Sequence, residues 1–202
     1  MGKITPTTLL RIAGDSPTRG LAAMLLALFL CLPARAQQRH SDGLDDVLQY
    51  VPYASVLVMK GCGVESRDAT TKLLVTTAAS WVVTAGVGYT LKHTVKEWRP
   101  DDSDRKSFPS GHAMIAFAGA TCMHKEFGRV SPWISVAGYG LATFTAVDRV
   151  LRDRHHWYDA VAGAAMGFAA TELTFFVSDR LFKDKPYTVA VTPTALALTV
   201  SL

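Results

Sequence analysis

From Leu73 to Leu91 the chain runs nineteen residues without a charge, bracketed by Lys72 and Lys92. At about 1.5 Å per residue such a run nearly spans the ~30 Å hydrocarbon core of a bilayer, so it predicts a helix buried in protein or in lipid. Val130 to Val147 is a second uncharged run and predicts a helix of the same kind. Ala113 to Met123 and Ala160 to Thr171 are shorter and rich in Ala and Gly, residues that let helices pack closely. Leu44 to Met59 carries Asp45 and Asp46 where a first helical turn would lie, and carboxylates suit the positive end of a helix dipole. Together these segments predict an all-α fold, a helical bundle of about five helices, occupying residues 37–185 as one domain.

The two ends of the chain read differently. Arg19 precedes thirteen uncharged, mostly apolar residues, Gly20 to Leu32, and Ala34-Arg35-Ala36 has the small-x-small pattern of a signal-peptidase site. Residues 1–36 are therefore expected to be a signal peptide cleaved after Ala36, too short in its apolar part to serve well as an anchor. At the other end, residues 186–202 form a β-prone tail. Leu196, Leu198, Val200 and Leu202 alternate there with Ala195, Ala197, Thr199 and Ser201, the two-residue period of a strand.

Composition limits the partners. The net charge of +4 owes +3 to residues 1–36, leaving a nearly neutral remainder without the clustered positive charge that phosphate-backbone binding needs. No nucleic-acid partner is expected. Removal of the leader also removes Cys31, leaving Cys62 and Cys122, either as a disulfide or as two buried free thiols.

Three clusters carry chemistry. Lys92 and Arg99 are seven apart, so a helix continuing to Pro100 would project both cations from one face, as an anion site requires. Ser110 stands at an N-cap position before an apolar helical run, with Gly111 and His112 following. Free backbone N–H groups at such a helix start seat anions, and the histidine can carry a proton near neutral pH. The third cluster runs from Asp148 to Asp159 and contains Arg149, His155 and His156. His155 and Asp159 are four apart, a spacing that on a helical turn lets the carboxylate orient the imidazole as a base or nucleophile. Taken singly, each cluster also fits a solvated cationic stripe, an ordinary capped helix or an exposed charged loop.

In combination, Lys92-x6-Arg99-Pro100, Pro109-Ser110-Gly111-His112 and Arg149-x5-His155-x3-Asp159 resemble the signature of the type 2 phosphatidic acid phosphatase superfamily over residues 70–180. Asp148 departs from that pattern, which usually has serine before the arginine. The resemblance implies metal-free hydrolysis of phosphate esters through a phosphohistidine. It implies catalytic roles for His155 (nucleophile), Asp159 (its partner) and His112 (general acid), and phosphate binding by Lys92, Arg99, Ser110, Gly111 and Arg149. His156 fails the spacing. No cofactor or metal is expected, since no carboxylate or Cys/His set has metal-ligand spacing. The expected partners are a phosphorylated lipid and a membrane, at an inner membrane with the site facing the periplasm, or in the periplasm itself. Alternatives are a soluble periplasmic acid phosphatase, a vanadate-dependent haloperoxidase and a non-catalytic envelope protein that binds lipid.

Overall fold

The computed structural model describes residues 43–182, 187–192 and 195–200; the leader expected over residues 1–36 lies outside the described residues. The described residues are mostly helical. In chain order the helices are α1 (Gly43–Leu48), α2 (Val51–Gly61), α3 (Thr70–Thr94), α4 (Gly111–Phe127), α5 (Pro132–Leu151) and α6 (Trp157–Leu181). Strands β1 (Tyr187–Thr192) and β2 (Ala195–Val200) pair antiparallel, with Tyr187 opposite Val200. The single helix expected over Leu44 to Met59 is two, because Pro52 has no N–H to continue a ladder and instead starts α2 within its first turn. Cys62 and Cys122 are both free, the first exposed and the second buried.

α4 is the hub, packing against α2, α3, α5 and α6. Its Ala113, Met114, Ala116, Ala118, Ala120, Cys122, Met123 and Phe127 are all buried, as a helix surrounded by other helices requires. Small residues set the distances. A Cβ on Gly167 of α6 would lie 2.2 Å from the Met114 carbonyl oxygen, and one on Gly163 would lie 2.5 Å from that of Ser110. α2 crosses at Gly119, where a Cβ would come within 2.9 Å of the Tyr53 backbone nitrogen. The Gly and Ala content of the two short apolar segments thus brings α4 and α6 backbone to backbone.

The polarity of α3 and α6 is turned inside out. Their inward faces bury Thr76, Thr77, Ser80, Thr84, Thr171 and Ser178, while Leu74, Val75, Trp81, Val82, Val83, Phe168, Leu173 and Phe176 point outward. Hydroxyls join the helices: Ser80 Oγ lies 3.0 Å from Tyr53 Oη and 2.8 Å from Thr171 Oγ1, and Thr76 Oγ1 lies 2.5 Å from Ser178 Oγ. Hydroxyl pairs and small residues inside, with bulky apolar side chains outside, are what helix association in lipid uses. α3 and α6 are both long and apolar enough to cross a membrane. The second such helix expected from sequence was α5; α6 takes that place. The charged Asp148 and Arg149 cut into the last turns of α5, whereas Asp159 and Glu172 of α6 leave a full apolar window.

Charges close the end of the bundle formed by the start of α3 and the ends of α4 and α6. Asp179 accepts from Arg67 at 2.5 Å and from Lys72 at 2.6 Å. Glu126 accepts from the Asp68 amide at 3.1 Å, and burial, reinforced by the Asp68 charge, pushes its carboxyl up to about 7. Gly167→Ala is expected to force α4 and α6 apart and destabilise the fold by about 1–3 kcal/mol. Gly140→Ala, whose Cβ meets nothing within 4 Å, is expected to be neutral or slightly stabilising. Thermal unfolding of the two variants in detergent separates these outcomes.

Candidate functional site

The opposite end of the bundle gathers the end of α3, the start of α4, the end of α5 and the start of α6. α3 stops at Thr94, not near Arg99, because the chain from Val95 becomes extended and pairs with a later segment. Glu97 bridges Lys106, the Ser107 amide donates to the Glu97 carbonyl at 3.1 Å, and the Arg99 amide donates to that of Asp104 at 3.1 Å. Lys92 and Arg99 are therefore not two turns of one helix. Lys92 ends α3 and donates to the Lys106 carbonyl at 2.9 Å, while Arg99 sits in the loop with its Nε 2.9 Å from Asp104 Oδ1.

The start of α4 is as expected. The Ser110 hydroxyl caps it, accepting from the Ala113 amide at 3.5 Å, and Gly111 lies against Lys92, whose Cε would be 3.4 Å from a Cβ there. The Phe108–Pro109 peptide is cis. The Ser110 amide donates to the Asp159 carbonyl at 3.1 Å, tying the second cluster directly to the third.

His155 is not on a helical turn with Asp159. It precedes His156, the N-cap of α6, and Asp159 occupies the third helical position. The two side chains still meet: both are buried, and His155 Nδ1 lies 3.9 Å from Asp159 Oδ2, beyond hydrogen-bond length. Neither His155 Nδ1 nor Asp159 Oδ1 has a hydrogen-bond partner among the described residues. Asp159 Oδ2 accepts from the Ser107 hydroxyl at 2.5 Å and from the His156 amide at 2.9 Å. Ser107 is fully buried and holds the carboxylate in place. Sequence reading gave it no role, since no spacing rule links it to Asp159.

His156 Nδ1 is closer to Asp159 Oδ2, at 3.3 Å, than that of His155. Environment separates the two rings. His155 is 2% exposed, whereas His156 is 33% exposed and stacks on Tyr158 with ring centroids 5.0 Å apart. Burial, followed by the nearby charges of Lys92, Arg99 and Arg149, drives the His155 pKa down to about 2, and the Ser107 backbone opposes this more weakly. His155 is thus a neutral imidazole inside a cluster of three cations. Asp148 forms an i,i+4 ion pair with Arg152 at 3.2 Å, and Arg154 reaches Asp101 at 3.0 Å, joining the loops on either side of the site. His112 Nε2 lies 2.9 Å from Asp46 Oδ1 of α1.

Among the described residues, one set of groups can hold a cation. Glu97, His156 and Asp159 place ligand atoms within 4.8 Å of one another, a convergence the linear spacing did not reveal. All three are already engaged, Asp159 as above, His156 through Asp159 itself and Glu97 by the Tyr158 hydroxyl.

The bundle thus converges cations, a helix N-terminus and a neutral buried histidine, groups whose chemistry suits a phosphate-like anion. The model of the PAP2 superfamily matches residues 69–183, and the chain belongs to that superfamily. It is 40% identical over 142 residues to a lipid A 1-phosphatase of Porphyromonas gingivalis. That match covers 70% of this chain and 32% of the relative, so the chain spans about a third of the length of the curated relative it matches. The crystal structure of Aquifex aeolicus LpxE shares the fold at a TM-score of 0.52 and 16% identity, over 82% of this chain and 98% of that one. A transmembrane PAP2 type phosphatidylglycerolphosphate phosphatase from Bacillus subtilis aligns at a TM-score of 0.42 and 20% identity, covering 81% of this chain and 98% of that one.

The depressed His155 pKa makes a signed prediction. The folded ring resists protonation until about pH 2, whereas the unfolded one takes a proton near its ordinary 6.5. The unfolded state thus gains protons that the folded state refuses. The stability contribution is complete above about pH 6.5 and is lost as pH falls below it, by up to about 1.4 kcal/mol per unit. Denaturation midpoints measured from pH 7.5 to 5 should fall for the wild type, and His155→Asn should remove that part of the slope.

Proposed function

We propose that the protein is a lipid phosphate phosphatase that works through a phosphohistidine. The observation that carries this reading is His155, buried and neutral among Lys92, Arg99 and Arg149, because a nucleophile must keep its lone pair while the surrounding cations attract the dianionic ester. His155 attacks phosphorus, and Asp159, held by Ser107, stabilises the charge that develops on the ring. Lys92, Arg99, Arg149, the Ser110 hydroxyl and the Gly111 amide bind the equatorial oxygens, where charge gathers in the transition state. His112 gives its proton to the leaving oxygen as that oxygen's bond to phosphorus breaks. Water then attacks the phosphorus, His112 takes a proton back, and the bond to His155 opens to release phosphate.

The substrate class follows from the outer surface. α3 and α6 present bulky apolar side chains outward, so a site at their ends suits a headgroup whose chains remain in the bilayer. A relative named for lipid A 1-phosphate makes glycolipid phosphates the first to test, followed by phosphatidate-like and polyprenyl phosphates. We read residues 1–36 as a removed export signal, residues 37–185 as the phosphatase domain and residues 186–202 as a separate tail. The site then faces the exported side of the membrane.

In a phosphate-release assay on such lipids, His155→Ala is expected to abolish turnover and His156→Ala to retain most of it, with EDTA leaving the wild type unaffected. Equal loss in the two variants overturns the choice of nucleophile, and a strict cation requirement overturns the metal-free route. Carbonate washing of membranes is expected to leave the protein in the pellet. Complete release with full activity on water-soluble esters identifies a soluble acid phosphatase instead.

A further inference from the structure

His112, the proton donor of the proposed reaction, meets a carboxylate that none of the three motifs contains. Asp46 lies 23 residues before the region matched by the family model, on the short helix α1, with its Oδ1 2.9 Å from His112 Nε2. The placement is held by the fold. Leu48 of α1 and Gln49 just after it are buried, and the Gln49 side-chain amide donates to the Asp46 carbonyl at 3.1 Å. The Asp46 side chain itself is 60% exposed. An ion pair so open to solvent contributes little to folding, so removing it reads on the chemistry of His112 rather than on stability.

We propose that Asp46 is a positioning residue for general acid catalysis: its carboxylate orients the His112 ring and favours the doubly protonated form that must be present when the leaving oxygen departs. The inference rests on the phosphatase reading above and extends it to a residue outside the family signature. Asp46 takes no proton. In the first step the bond from phosphorus to the leaving oxygen breaks, the bond from phosphorus to His155 forms, and the proton moves from His112 to the leaving oxygen. Asp46 keeps its charge throughout and stabilises the imidazolium before that transfer. Among the described residues, the ends of the neighbouring helices nearest the start of α4 also carry Lys92 of α3, Asp148 and Arg149 of α5 with Arg152 at its C-cap, and Asp159 of α6; Asp148 pairs with Arg152, and the others are assigned to phosphate or to His155.

A proton donor matters only where the leaving group needs a proton. p-Nitrophenyl phosphate expels a stabilised phenolate without one, whereas n-octyl phosphate expels an alkoxide that needs one. Asp46→Asn is expected to lower kcat/KM on n-octyl phosphate by at least about tenfold, a share of the ~10²- to 10⁴-fold that general acids supply. This ratio reads only the steps through departure of the leaving group, before His112 takes a proton from water. The same variant should leave kcat/KM on p-nitrophenyl phosphate within about twofold, which also reports that it is folded. Asp46→Glu should recover most of the loss. Equal lowering of kcat/KM on both esters by Asp46→Asn, or no lowering on either, overturns the role of Asp46 while the phosphatase reading stands. Release of phosphate from neither ester by the wild type overturns both.

Discussion

The site depends on one close approach, that of the start of α6 to the start of α4. The Ser110 amide donates to the Asp159 carbonyl, Gly163 leaves no side chain against the Ser110 carbonyl, and the buried Ser107 hydroxyl holds the Asp159 carboxylate. Backbone contact of this kind tolerates no Cβ, so the glycine and the two helix starts act as a unit. It places the N–H groups that open α4 beside the residue chosen to steady His155. Without it, the start of α4 and the His155–Asp159 pair would have nothing to set their distance.

Around that contact the bundle separates two kinds of charge chemistry by helix direction. The end built from Arg67, Asp68, Lys72 and Asp179 pairs its charges with one another, with Glu126 held by the Asp68 amide, and closes the bundle. The other end gathers Lys92, Arg99 and Arg149 toward His155, an arrangement whose mutual repulsion is relieved by an anionic ligand. The same cations and the same burial keep His155 neutral. On the proposed reading, one environment provides both the affinity for a phosphate and the free lone pair that attacks it. Between the two ends, α3 and α6 turn apolar side chains outward and join through paired inward hydroxyls, Ser80 with Thr171 and Thr76 with Ser178.

The sequence determined the helical class and the approximate extent of α3, α4, α5 and α6, properties that depend on local rules: uncharged run length, small-residue content and capping chemistry. That the three motifs share one site was what their resemblance to a family signature implied. Only the tertiary structure decided how the residues meet. It ended α3 at Thr94, because pairing of the 97–99 and 104–107 segments outweighed helical continuation, so loop contacts rather than a helix face position Arg99. It put His155 before the α6 N-cap, and it exchanged α5 for α6 as the second helix able to cross a membrane. Ser107 on Asp159, Asp46 on His112 and the grouping of Glu97 with His156 and Asp159 were not legible in the chain. Each joins residues 52, 66 and up to 62 positions apart, and side chains that meet across such distances obey the packing of helices, for which a linear pattern has no period.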